Sequence, residues 1–299
     1  MLERILVPLD GSSLAESVLT QVRQLLMQKD SEVLLVRVLH HPPSSEADLM
    51  EPMETLRAGA AEYLERIEQG LSSQGARVYS RVEEGFPASA ILETAKKEHA
   101  TLIAMSTHGR TGLSRWVFGS VTEKVLRASP VPVLAVPSFL EQGSGASPTG
   151  ARELPFRKIV LPIVAADRSL EALPSVLELA PLFGAQVFLV NVCEGTACSV
   201  EVPQMRKAYD LLHQAGITVD PLMKQGDPAA QILETCAETG ADLIAMTTHG
   251  HSGLSRWVLG SVAEKVLRAA RVPILVVRTA KRTRSAEPAP EAVEFHSEP

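Results

Sequence analysis

The sequence predicts an α/β protein built from two open, doubly wound, five-stranded parallel sheets joined through their last strands. Three observations carry that expectation: short apolar runs alternate with amphipathic stretches, the alternation occurs twice, and the last strand of each half is apolar without an interrupting charge. Strands rich in Val, Ile and Leu suit burial on both faces of a parallel sheet, and right-handed crossovers between them leave few topologies.

In the first half "RILVPL" (4–9) reads as a strand, and the "DGSS" after it can cap a helix over 14–27. "EVLLVRVL" (32–39) is the second strand, followed by a helix over 51–71 with Pro52 in its first turn. A strand over 76–82, a helix over 87–98 and a strand over 101–106 come next. A Gly-rich loop then leads to a helix over 120–129 and a last strand, "VPVLAV" (131–136).

The second half repeats this order. "STHGRTGLSRWVFGSVTEKVLRA" from Ser106 returns as "TTHGHSGLSRWVLGSVAEKVLRA" from Thr247, so Gly109 pairs with Gly250 and Gly119 with Gly260, an offset of 141. Earlier the offset is 154, with Ile5 matching Ile159, so the first half carries thirteen extra residues (154 less 141) around "HPPSSEADLMEP". The reading divides the chain into repeat one (1–137), a Gly-, Ser- and Pro-rich linker (138–155), repeat two (156–279) and a disordered Pro- and Glu-rich tail (280–299). The open edges "VPVLAV" and "VPILVV" (272–277) invite aggregation, and pairing them makes the chain a fused pseudo-dimer, open to higher homo-oligomers.

Composition narrows the function. The 299 residues carry a net charge of -6, and no basic run exceeds "KRTR" (281–284), which argues against a nucleic-acid surface. No apolar run reaches the roughly 18–20 residues of a membrane span, and the start lacks a secretory pattern, so a cytoplasmic protein is expected. Three cysteines, Cys193, Cys198 and Cys236, read as reduced thiols in small apolar sites, with no metal site.

Ligands of open α/β sheets bind beyond the carboxyl ends of the strands, where the winding reverses. Pro8, Leu9 and Asp10 end the first strand there, and Met105 and Ser106 end the fourth. The loop through Thr107, His108, Gly109, Arg110 and Thr111 feeds the helix that opens at Gly119, Ser120, Val121 and Thr122. A helix N-terminus presents unpaired N–H groups and a positive dipole end, so a phosphate chain is the expected guest. The glycines allow backbone approach, Ser120 and Thr122 offer hydroxyls, Arg110 offers charge, and Asp10 can accept from ribose.

"ILVPLDGS", "MSTHGRTGLSRWVFGSVTEKVLR" and "PVPVLAV" together resemble the universal stress protein family over both repeats. The resemblance implies a Rossmann-like, adenine nucleotide alpha hydrolase-like fold, ATP as ligand (with or without Mg²⁺), and an unknown protein partner. It assigns Asp10 to the adenosine, Pro8 beside it, and the backbone of Val38 to adenine. Gly109, Gly119 and Ser120 match the family's ATP motif, whereas Ser106 stands at its first glycine.

In repeat two the counterparts are Pro162, Val192, Gly250, Gly260, Ser261 and Val262, with Thr247 at the first-glycine position. Asp10 becomes Val164, and Asp167 is expected to cap a helix starting near Arg168, so weaker binding or none is expected there. The glycines also suit a purely structural turn. His108 and His249 read as loop-packing residues, Trp116 and Trp257 as loop anchors, and Arg115 and Arg256 as solvated. The leading expectation is a nucleotide-binding regulatory module. A slow ATPase or phosphotransferase, and a nucleotide-free interaction scaffold, stand beside it.

Overall fold

The computed structural model describes residues 1–40, 53–73, 75–107, 119–138, 156–164, 167–193, 202–248 and 259–278. The linker beyond 138, the tail beyond 278, His108 to Phe118, Cys198 and Pro52 lie outside these residues.

In repeat one the strands are β1 (Arg4–Pro8), β2 (Glu32–Leu39), β3 (Arg77–Glu84), β4 (Leu102–Ser106) and β5 (Val133–Val136). Between them lie α1 (Ser13–Glu16), α2 (Val18–Gln28), α3 (Met53–Ser72), α4 (Pro87–Lys97) and α5 (Ser120–Ala128). Repeat two supplies β6 (Lys158–Pro162), β7 (Gln186–Cys193), β8 (Val219–Gln225), β9 (Leu243–Thr247) and β10 (Ile274–Val277). Its helices are α6 (Leu173–Phe183), α7 (Pro203–Gln214), α8 (Pro228–Thr239) and α9 (Ser261–Ala269).

The ten strands form one sheet in the order β3-β2-β1-β4-β5-β10-β9-β6-β7-β8. Every neighbouring pair is parallel except β5 with β10, which is antiparallel. At that seam Leu134 lies opposite Leu275, its own counterpart in the other repeat, flanked by Val133–Val276 and Ala135–Ile274. All six side chains are buried. The expected joining of the last strands therefore holds, and two sheets become one.

Side-chain alternation explains why both faces are covered. Ile5 and Val7 of β1 join one apolar cluster with α1, α2 and α3, while Leu6 points into the other with α4 and α5. Both clusters run across the seam into repeat two. The change of face between the helices after β1 and β2 and those after β3 and β4 marks a doubly wound sheet, with the winding reversing between β1 and β4. At the opposite end of the strands Thr101 Oγ1 accepts from Glu3 N and Arg4 N at 3.1 and 3.0 Å. Its counterpart Asp242 accepts from Arg157 N and Lys158 N at 3.0 and 3.1 Å.

Some boundaries differ from expectation. The helix over 14–27 breaks at Ser17, whose hydroxyl donates to Leu14 O at 2.7 Å, giving a short α1 and then α2. Ser12 caps α1 as expected, accepting from Ala15 N at 3.1 Å. The helix expected near Arg168 is a 3-10 helix, Asp167–Ala172, with α6 following at Leu173. Strands β5 and β10 start two residues late, after Pro132 and Pro273, whose rings leave no N–H for the ladder. Cys236 is buried and Cys193 partly so; burial pushes the Cys236 thiol up to about 11, which keeps it unreactive.

A second tie joins the repeats on the α2 face. Glu178 of α6 accepts from Lys29 Nζ at 2.9 Å, from Leu2 N at 3.2 Å and from the Met1 amino group. Burial opposes the charge, but these bonds outweigh it and hold the carboxyl at about 2.

Two outcomes follow. Deleting residues 156–299 leaves β5 as an apolar edge, and the remaining chain is expected to sediment as a dimer; a well-behaved monomer at micromolar concentration contradicts this. Because Glu178 is depressed in the folded state, its contribution is complete above the ordinary value of 4.5 and fades as pH falls towards 2. Glu178→Gln should therefore lower stability at neutral pH and flatten the pH dependence of unfolding between those values.

Candidate functional site

The carboxyl ends of β1 and β4 part at the point where the winding reverses, and the residues there come from two turns. Leu9 N still donates to Val36 O at 2.8 Å, after which the chain leaves the sheet at Asp10. Asp10 Oδ1 accepts from both Ser12 N and Ser12 Oγ, at 2.9 and 2.6 Å, fixing the carboxylate at the crevice rim. Gly11 between them has φ +84, and a Cβ there would come within 3.1 Å of the Arg37 guanidinium. This turn needs glycine for its angle, and a side chain there would have to displace the Arg37 guanidinium.

Arg37 in turn lies 5.1 Å from the centre of the Tyr63 ring, with Arg66 at 5.5 Å from the same ring and 3.8 Å from Glu16. Burial and the Glu16 carboxylate beside it push the Tyr63 hydroxyl up, Arg37 pulls the other way, and Asp10 adds a smaller push. Helix α3 thus braces the Asp10 turn from behind. Sequence reading missed this brace because Glu16, Arg37 and Tyr63 come from three separate elements. The one local signal was the Gly between Asp10 and Ser12.

The second turn is closed at its base. Thr107 N donates to Val136 O at 2.9 Å and Gly119 N to Thr107 O at 3.0 Å, so segment 108–118 leaves and returns at one hydrogen-bonded pair. Helix α5 then opens at Gly119 without a side-chain cap. Ser120 is exposed, Val121 half-buried and Thr122 buried. The Thr122 hydroxyl, expected to face a ligand, donates instead to Ser106 O at 2.9 Å and ties α5 to β4. Gly119 adopts φ -59, open to any residue, so its contribution is the absence of a side chain. Ser106 Oγ donates to Ser138 Oγ at 2.8 Å, both buried, which draws the residue at the first-glycine position towards the end of β5. Met105 lies in the core, and Val38 is half-buried near the end of β2 with Pro8 at the end of β1. His108, Gly109, Arg110 and Thr111 fall outside the described residues.

Repeat two keeps the frame, and polar side chains there bond to its own backbone. Thr248 N donates to Val277 O at 3.1 Å and Gly260 N to Thr248 O at 2.8 Å, as in repeat one. Ser261 is exposed and Val262 packs on the core, but buried Ala263 replaces Thr122. Asn191, in place of Arg37, donates to Ile163 O at 2.7 Å, and Ser169 donates to Val164 O at 3.0 Å. Pro162 and Val192 are half-buried, and Gly250 lies outside the described residues.

Among the described residues no group of three His, Cys, Asp or Glu is placed to hold a metal ion. No helix among them is long and apolar enough to cross a membrane.

The profile of the Universal stress protein family matches residues 1–137 and 155–278. Universal stress protein MJ0531 of Methanocaldococcus jannaschii is 32% identical over 145 residues, covering 42% of this chain and 85% of the relative. MJ0577 of the same organism is 30% identical over 154 residues, covering 46% and 95%. Each relative thus spans about one repeat of this chain. A universal stress protein from Archaeoglobus fulgidus, by contrast, aligns over 93% of this chain and 98% of its own, with a TM-score of 0.76 at 22% identity. A second solved structure, from Pseudomonas aeruginosa, covers 93% of each chain with a TM-score of 0.66 at 19% identity. At such identities these two structures speak for the tandem fold alone. With both halves matched and the sheet continuous between them, the chain belongs to the universal stress protein family, as a two-repeat member.

Proposed function

We propose that repeat one binds an adenine nucleotide, ATP above all, and that the protein acts as a cytoplasmic regulatory module in a stress response. The observation that carries this reading is the pairing, across the β1–β4 crevice, of a braced Asp10 carboxylate with the uncapped N-terminus of α5. Asp10 takes the ribose hydroxyls and the backbone N–H groups of Ser120, Val121 and Thr122 take the phosphates, with the Ser120 hydroxyl beside them. Pro8, Leu9 and Val38 form the adenine side. Gly109, Arg110 and their neighbours continue the phosphate side from 107–118, and a protein partner reads the surface that the bound nucleotide organises there.

Slow hydrolysis or phosphotransfer is the second reading. It has less support, because phosphoryl transfer needs a metal and a placed water, and Asp10 is the one obvious acidic neighbour among the residues read at the site. Repeat two contributes architecture first. The Val164 side chain offers no acceptor where the Asp10 carboxylate stands, and Ser169 and Asn191 bond the carbonyls of Val164 and Ile163.

Incubating the protein with labelled ATP, with and without Mg²⁺, should leave one retained ATP per chain and little released ADP. Asp10→Ala should weaken binding by about 1–3 kcal/mol, the cost of leaving ribose hydroxyls unpaired. Val164→Asp should restore measurable binding in repeat two. Unchanged affinity in Asp10→Ala together with unchanged stoichiometry in Val164→Asp defeats the proposal, and rapid ADP release favours the enzymatic reading.

A further inference from the structure

The corner that joins β3 to α4 differs chemically from its copy between β8 and α8, although both turn on a glycine, Gly85 at φ +127 and Gly226 at φ +132. In repeat two the next residue is Asp227. Its Oδ1 accepts from Ala230 N at 2.9 Å, capping α8, and its Oδ2 accepts from Lys265 Nζ at 2.8 Å, tying α8 to α9. That corner satisfies itself.

In repeat one, 141 residues earlier, Phe86 holds the same N-cap position and Lys124 the place of Lys265. Phe86 gives α4 no side-chain cap and is 70% exposed, a large aromatic spread in water where a capping carboxylate would serve the helix better. Lys124 is exposed and, among the described residues, has no ion-pair partner. The Phe86 ring is held in place: it lies 5.1 Å from the ring of His40, whose Nδ1 is 3.2 Å from Gly85 O.

The corner sits at the carboxyl end of the sheet, beside the strand that bears Val38. Gly85 N donates to Leu39 O at 3.0 Å, so Phe86 follows directly where β2 ends. Val38 of β2 and Val121 of α5 pack against the same apolar cluster that holds Ala88 and Ile91 of α4. A flat π-face at the end of β2 and, on α5, a cation without an ion-pair partner among the described residues therefore lie on the α4–α5 face of the sheet. Only the half that keeps Asp10 has them; the half with Val164 has the closed Asp227–Lys265 pair.

We infer that Phe86 is a base-stacking residue of the repeat-one site and that Lys124, the counterpart of Lys265, supplies charge complementary to the nucleotide. The inference rests on the nucleotide reading above and extends it to a residue pair that requires a base on the phosphate chain. Stacking on an aromatic ring tolerates any base but needs one, so Phe86 distinguishes a nucleotide from a bare phosphate chain.

The test uses the full chain, ATP and inorganic triphosphate, with thermal unfolding followed alongside. Phe86→Ala should weaken ATP binding about tenfold and leave triphosphate binding unchanged, and Phe86→Tyr should bind ATP as the parent does. Phe86→Asp installs the repeat-two corner, so it should raise the unfolding temperature while weakening ATP binding. Opposite signs in one variant cannot come from damaged folding. If the parent protein retains ATP and Phe86→Ala retains it equally, or loses triphosphate to the same degree, this inference fails while the nucleotide reading stands. If the parent retains no ATP, both fail.

Discussion

The antiparallel pairing of β5 with β10 is the constraint on which the rest of the molecule depends. Each strand is four residues long, preceded by Pro, and apolar on both faces, a poor edge to leave in water. Joined through Leu134 and Leu275, the two edges vanish and the apolar clusters on both faces become continuous between repeats. The seam also fixes direction. Because it is the sole antiparallel step among the described strands, those of repeat one point opposite to those of repeat two. The two crevices therefore open at opposite margins of one sheet and cannot share a ligand. Each half answers alone for its own chemistry, which lets one lose its site without disturbing the other.

Much of this was legible in the sequence, because strand burial and helix amphipathicity leave periodic marks and a duplication prints them twice. The break at Ser17 was not, since it depends on a hydroxyl bonding back to Leu14 within an otherwise helical pattern. Nor was the late start of β5, where Pro132 contributes only its carbonyl, accepting from Ile103 N at 3.0 Å. At the site, Pro8, Leu9 and Asp10 could be placed because they end a strand at the point of reversal. The role of Thr122 could not. A hydroxyl in the first turn of a helix reads as a ligand donor until the Ser106 carbonyl is found 2.9 Å away. The brace of Arg37 on Tyr63 joins β2 to α3, and no spacing rule reaches across such a gap.

The retention of glycines in repeat two looks at first like evidence for a second nucleotide site. The backbone around them, however, is bonded alike in both repeats. Gly119 and Gly260 each donate an N–H to the residue just past the fourth strand of their repeat, Thr107 and Thr248, and both of those donate in turn to the last strand. These bonds close the loop's base and set the start of α5 and α9 with no ligand required. The turn into the last helix of each repeat is thus kept by backbone bonding, whereas Asp10, Arg37 and Phe86 have become Val164, Asn191 and Asp227. Each of the neighbourhoods so changed is internally bonded, through Ser169 to Val164 O, Asn191 to Ile163 O and Asp227 to Ala230 N and Lys265. Under the proposed reading, a half relieved of ligand binding is free to satisfy its own polar groups and gain stability by doing so, while a half that receives a ligand keeps an uncapped helix and an exposed ring. The asymmetry between two copies of one fold, inside one chain, is therefore what separates the residues that build from those available to bind.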